Sequence, residues 1–155
     1  MLNGKIRNGF TMIELVFVIV VLGILAAIAI PKLVATRDDA QIAKGRSDVA
    51  AIRSAIVNER QTRLLQGDSA YTNQLDDSSN YNAAGETLFD NNGTAANSLL
   101  QYGIISASGN GHWLKTGANA YTYTVLGDPV AFTYTPTGGI FDCTHTNANC
   151  KLLTE

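Results

Sequence analysis

From Phe10 to Ile30 the chain reads FTMIELVFVIVVLGILAAIAI, twenty-one residues in which Glu14 carries the only charge. At about 1.5 Å of rise per residue that is roughly 31 Å of helix, enough to cross the hydrocarbon of a bilayer. A carboxylate five residues into such a run costs a few kcal/mol in lipid unless something neutralises it. Ahead of the run stands MLNGKIRNG, with Lys5 and Arg7 as its only charges. Basic residues placed before a span predict a cytoplasmic N-terminus and the bulk of the chain outside.

Three plain readings of this stretch compete. One is an ordinary secretory signal, with Lys5 and Arg7 as the basic region and Ala27-Ile28-Ala29 as an A-x-A cleavage site. The run is longer than the roughly 7 to 15 apolar residues usual there, and it contains Glu14. Another is an uncut single-pass anchor that tolerates Glu14 near the interface. The third, a buried core helix of a cytosolic protein, is opposed by the length of the run. A mature chain beginning at Phe10, Ile30 or Met1 separates these possibilities.

The string Gly9-Phe10-Thr11-Met12-Ile13-Glu14-Leu15, followed by the apolar run down to Gly23 and Pro31, resembles the N-terminal signature of the prepilin family. Its members are subunits of type IV pili, type II secretion pseudopili and DNA-uptake filaments. The resemblance is close over residues 1 to about 35 and holds only in outline beyond. It implies a leader of residues 1–9, cut between Gly9 and Phe10 by a membrane prepilin peptidase that also methylates the new amine of Phe10. It implies a transmembrane and assembly helix over 10–31 and a periplasmic pilin-like domain over 32–155. The protein would sit in a bacterial inner membrane until an assembly platform moves it from the bilayer into a filament with copies of itself and related pilins. Backbone between Gly23 and Pro31 would lose helical structure on assembly, since Gly and Pro are poor helix residues.

The arrangement has a physical logic of its own. Cutting after Gly9 would put a charged amine on Phe10, at the positive end of a helix dipole. Methylation leaves that amine basic. Glu14 lies one turn further on and can offset it within one chain or toward a neighbour. The attraction is stronger at low dielectric, so pairing between staggered subunits would couple assembly to leaving the membrane.

About 120 of the 155 residues follow Pro31, enough for one modest core. The formal net charge is −2, and loss of Lys5 and Arg7 would make it −4. The distal half has no basic patch, so direct nucleic-acid binding lacks an electrostatic footprint. After Pro31 the pattern turns amphipathic. Ile42, Val49, Ile52, Ile56 and Leu64 mark a helical stripe, Gly45 and Ala55 keep the surface slim, and Gly67 is a C-cap signal. Residues 10 to 66 would form a helix of roughly 85 Å. Its charged face, with Asp38, Asp39 and Arg53, is a candidate for contacts between subunits.

Residues 68–111 are rich in turn formers and suggest an irregular connection. Glu86 to Phe89 and Ala95 to Tyr102 are the best helical turns, and Leu88, Phe89, Leu99, Leu100, Ile104 and Ile105 would pin the segment to the core. From His112 the period becomes two, through His112–Lys115, Tyr121–Leu126, Val130–Thr135, Ile140–Cys143 and Cys150–Leu153. Short strands with tight connections imply an antiparallel meander. The expected fold is α+β: a long N-terminal helix packed on a C-terminal antiparallel sheet, the layout of pilins.

Cys143 and Cys150 are separated by six residues, and outside the cytoplasm two such cysteines are most simply a disulfide worth roughly 2–3 kcal/mol. A metal is the alternative. Cys143, His145 and Cys150 supply three soft ligands where structural zinc wants four. A short C-terminal disulfide loop also resembles the prepilin family, where such loops tie down the last strand. Asp90-Asn91-Asn92-Gly93 has part of a calcium loop without its later acidic ligand. Asp128 and Asp142 are the other calcium candidates, and no cofactor is required. His112 and His145 have no spacing that names a base, and the serines lack a nucleophile-elbow context. The expectation is therefore a non-enzymatic filament subunit. Its compact size and short disulfide loop lean toward a secretion pseudopilin, and a monomeric membrane-anchored binding module is the contrasting possibility.

Overall fold

A computed structural model describes residues 9–90 and 99–155, without the side chains at 31 and 33–35. The leader charges Lys5 and Arg7, the calcium-like Asn91, Asn92 and Gly93, and the helical turn expected from Ala95 through position 98 lie outside the described residues. The chain divides into two compact units, Met1–Arg37 and Asp38–Glu155. Helix α1, Met12–Leu65, passes through both.

The first unit contributes the apolar part of α1. Met12–Ile30 has a mean hydropathy of 3.1 and none of it is buried. Phe10, Met12, Ile13, Phe17 and Ile28 are each at least two-thirds exposed. Apolar residues on every face of a helix leave no polar side to turn toward water.

The second unit has a single core. On α1, Val49, Ile52, Ala55 and Ile56 are buried and Ile42 packs against them from the margin. Leu64, expected to extend the stripe, is half exposed, because the helix is already ending there. Gly67 takes φ +86°. Its N–H donates to Leu64 O at 3.1 Å, and Asp68 N–H donates to Arg63 O at 2.9 Å, closing the helix with a left-handed cap.

Strands β3 (Trp113–Gly117), β4 (Ala120–Val125), β5 (Asp128–Thr135) and β6 (Ile140–Cys143) form an antiparallel meander in sequence order. Leu126 and Gly127, both with positive φ, make the two-residue turn between β4 and β5. That turn falls one residue earlier than Gly127-Asp128-Pro129 suggests, and Pro129 pairs with Thr124 near the start of β5. Tyr121, Tyr123, Val125, Val130, Phe132 and Tyr134 alternate inward as period-two residues should. Phe132 stacks on Phe141 at 5.2 Å, and Trp113 meets Phe132 edge to face at 5.1 Å. A Cβ on Gly45 would lie 2.6 Å from both Leu153 and Tyr123, so glycine there permits close approach of α1 to this layer.

Segment 68–111 is irregular, as expected, with two corrections. The Glu86–Phe89 turn is not helical. Thr87–Leu88 forms β1, paired antiparallel with β2, Ile104–Ile105. Residues 99–102 are bends rather than helix. Leu88, Phe89 and Leu99 are buried, whereas Ile105 is mostly exposed because alternation in a two-residue strand turns it away from the core. Phe89 holds φ 60°, unusual for a bulky residue, while its ring packs among Trp113, Tyr121 and Phe141.

A buried ion pair anchors the same segment. Lys115 and Asp76 are 3% and 1% exposed. The Lys115 ammonium donates to Asp76 Oδ1 and to Ser78 O, and Tyr121 donates its hydroxyl to Asp76 Oδ2 at 2.7 Å. Tyr134 donates to Thr72 O at 2.8 Å. Along the outer side of β3, Lys115 O accepts from Asn82 N–H at 2.8 Å and Trp113 O accepts from Ala107 N–H at 3.1 Å. Beside β6, Arg53 Nε donates to Phe141 O at 2.9 Å.

The final apolar stretch is also corrected. Cys150–Leu153 lies within helix α2, Ala148–Thr154, not a fifth strand of the meander. Asn147 caps it by accepting from Asn149 N–H at 2.8 Å. Cys150 and Leu153, three apart, are the pair it buries.

Candidate functional site

The start of α1 gathers several of the residues singled out in the sequence. Gly9 and Phe10 are exposed and precede the helix. Thr11 stands at the N-cap position and Glu14 three residues later. Glu14 N–H donates to Thr11 Oγ1 at 3.3 Å, while the Glu14 carboxylate accepts from Thr11 N–H at 3.4 Å and from the Thr11 hydroxyl at 3.3 Å. This is a capping box, in which each residue satisfies an amide that the helix start leaves orphaned. The contacts are long against the usual 2.7–3.2 Å or so. The carboxylate is therefore lightly held, and it lies against the backbone nitrogen next to that of Phe10.

Thr11 has a role that the residue-by-residue reading missed. The signal was present: T-x-x-E immediately ahead of an apolar run is a helix-start pattern in its own right. It places an acid in the first turn, where the helix dipole favours one. The geometry offers a lightly held negative group close to the backbone nitrogen of Phe10. Further along, a Cβ on Gly23 would meet nothing within 4 Å, and the helix continues through Gly23 and Pro31.

At the far end of the chain Cys143 and Cys150 form a disulfide. Asp142 lies beside it and bonds to Arg53 Nη2 at 2.8 Å, so Arg53 serves its own chain rather than standing free on the charged face. His145 Nε2 is 3.2 Å from both Asp142 oxygens, and its Nδ1 is 3.5 Å from Glu155 Oε1. Asp142, His145 and Cys150 bring ligand atoms within 4.8 Å of one another, with the Cys150 sulfur committed to the disulfide. Asp128, the other calcium candidate, is outside this group and accepts from Asn149 Nδ2 at 3.3 Å. His112 is exposed just before β3.

Comparison with known proteins bears on both ends of the chain. A family model of the prokaryotic N-terminal methylation motif matches residues 4–30. The type IV major fimbrial protein FimA of Dichelobacter nodosus is 32% identical over 138 residues, covering 85% of each chain. The type II secretion system core protein G of Pseudomonas aeruginosa is 40% identical over 50 residues, which are 32% of this chain and 35% of that relative. The type IV narrow pilus major component PilA5 of Thermus thermophilus is 53% identical over 48 residues, 31% of this chain and 41% of its own. The chain thus spans only about a third of the length of the secretion protein it matches. No solved structure matches.

Proposed function

The chain belongs to the family of type IV prepilins and type II secretion pseudopilins, and from that premise we propose that it is a filament subunit assembled from the inner membrane through α1. One observation carries the reading: a 19-residue apolar stretch at the start of α1, wholly unburied, with a carboxylate in its first turn. Lipid satisfies the apolar surface before assembly and the helices of neighbouring subunits satisfy it afterwards. In this reading a prepilin peptidase cuts between Gly9 and Phe10 and methylates Phe10, with the N-terminus cytoplasmic and the C-terminal domain periplasmic. The Phe10 amine of one subunit then pairs with Glu14 of another, and the Gly23–Pro31 segment loosens as subunits leave the membrane. Copies of the same chain and related pilins are the partners, together with an assembly platform.

As between a pilus and a secretion pseudopilus, the reach of the fimbrial similarity over 85% of the chain supports a pilus. The secretion similarity covers about a third of the chain. Mass spectrometry of the N-terminus, on protein isolated from its native cells, tests the reading. The expected first residue is N-methylated Phe10, whereas an intact Met1 or a start at Ile30 would overturn it.

A further inference from the structure

We propose that the distal unit carries a binding site for a small hydroxylated carboxylate, with the chemistry of a uronic acid, in the pocket between the end of α1 and the β5–β6 turn. The pocket has a volume of about 300 Å³ and is lined by Arg60, Ser69, Tyr71, Asn73, Pro136 and Thr137. That volume is at the small end of ligand sites and suits one sugar ring rather than a longer chain. Among the described residues lining it, Arg60 carries the only charge. One cation matches a single carboxylate better than a doubly charged phosphate.

Arg60 is the recognition element. No carboxylate pairs with it among the described residues, whereas Arg63 holds both Glu59 at 3.0 Å and Asp68 at 3.1 Å. Arg60 instead lays its guanidinium over the Tyr71 ring, 4.2 Å from the centroid, and donates through Nη1 to the Tyr71 hydroxyl. Its Nε is buried and has no hydrogen-bond partner among the described residues. A buried donor left unsatisfied is costly, so an acceptor there is strongly favoured. Nε and Nη2 share one edge of the planar fork, and such an edge bonds both oxygens of a carboxylate in parallel. With Nη1 committed to Tyr71, that edge is what remains for a ligand.

The neighbouring structure fixes this geometry. A Cβ on Gly139 would lie 2.1 Å from Tyr71 Cε1, and Gly139 holds φ +63°, so glycine lets the β5–β6 turn close on the ring. Ala70 N–H donates to Asp68 Oδ1 at 2.9 Å, and Asn119 Nδ2 donates to Asn73 O at 3.2 Å, pinning the segment on both sides of Tyr71. The rest of the lining is uncharged. The Ser69 and Thr137 hydroxyls and the Asn73 amide supply donors and acceptors for ring hydroxyls, and Pro136 supplies an apolar edge for the C–H face of a sugar.

Sodium glucuronate serves as the probe, titrated by calorimetry into the full chain in detergent, with glucose as the uncharged control. The expected result is saturable one-to-one binding of glucuronate, at least about tenfold tighter than glucose. Nitrogen-15 NMR should show the Arg60 Nε–H signal move as the site fills. Arg60→Lys keeps the charge but loses the fork, and should weaken binding at least about tenfold. Ser69→Trp, at an exposed position on the rim, should weaken it as much by filling the pocket, and it stands in if the Arg60 variant misfolds. Absence of saturable glucuronate binding would overturn the proposal, as would equal affinity for glucose or undiminished affinity in Ser69→Trp. An Arg60 Nε–H signal that stays still at saturation sinks it too.

Discussion

Two stretches of one helix live in opposite surroundings. Between Met12 and Ile30 every residue is open, although nearly all are apolar. Between Val49 and Ile56 four residues are buried in a core shared with the sheet, and charged residues occupy other faces. Burial of apolar area is the main force favouring a fold, at roughly 25 cal/mol per Å². The second stretch realises that gain within its own chain, and the first can realise it only against lipid or other molecules. The contrast separates the work of the two parts. The distal unit supplies independent stability, and the proximal helix supplies the drive to associate.

Substitutions should respect that separation. The largest effect is expected at Glu14: Glu14→Val should abolish filaments while leaving membrane insertion and the melting temperature of the distal domain unchanged. Normal levels of the variant in sheared filaments would refute the amine–carboxylate pairing. Within the distal unit, Lys115→Ala leaves Asp76 buried without its cation and should cost about 3–5 kcal/mol in denaturant unfolding. Membrane insertion of that variant should be normal.

Alkaline titration offers a milder test of the same unit. Burial, and then the Asp76 carboxylate, holds the Tyr121 phenol well above its ordinary range. Burial, with Asp48 next, pushes Tyr123 up to about 12, and burial likewise raises Tyr134 to about 12 against the opposing Arg63 charge. The folded state therefore keeps protons that the unfolded chain releases above about pH 10. Stability present below that pH should fall as pH rises, by about 1.4 kcal/mol per unit from Tyr121 alone. Helix signal from the apolar stretch in detergent should persist through the same window. The smallest expected effect is at Thr11, where valine removes the capping hydroxyl. That change should cost about 1 kcal/mol, read as faster hydrogen exchange at the Glu14 amide with no change in distal melting.

Much of this was legible in the sequence because the signals were periodic or local. The twenty-one-residue run, the Val49-Ile52-Ile56 stripe, the glycine stop at Gly67 and the alternating aromatics of β4 and β5 each follow from spacing alone. The misreadings fall where a short apolar stretch could serve either period. Cys150-Lys151-Leu152-Leu153 suits a strand on alternation, yet Asn147 caps it and Cys150 and Leu153 face inward three apart. Thr87–Leu88 is a strand only because Ile104–Ile105, far along the chain, lies beside it. The buried pairing of Asp76 with Lys115 spans thirty-nine positions and has no local signature. The T-x-x-E cap had one, hidden because Glu14 already had an explanation.

The carbonyls of Phe141, Trp113 and Lys115 each have a donor from their own chain. An incoming peptide finds those rungs taken at both rims of the sheet, so adding strands edge to edge is a poor route to a polymer. On the proposed reading the chain multiplies through its oily rod while its β layer stays shut, and growth would then be governed by whatever handles the rod.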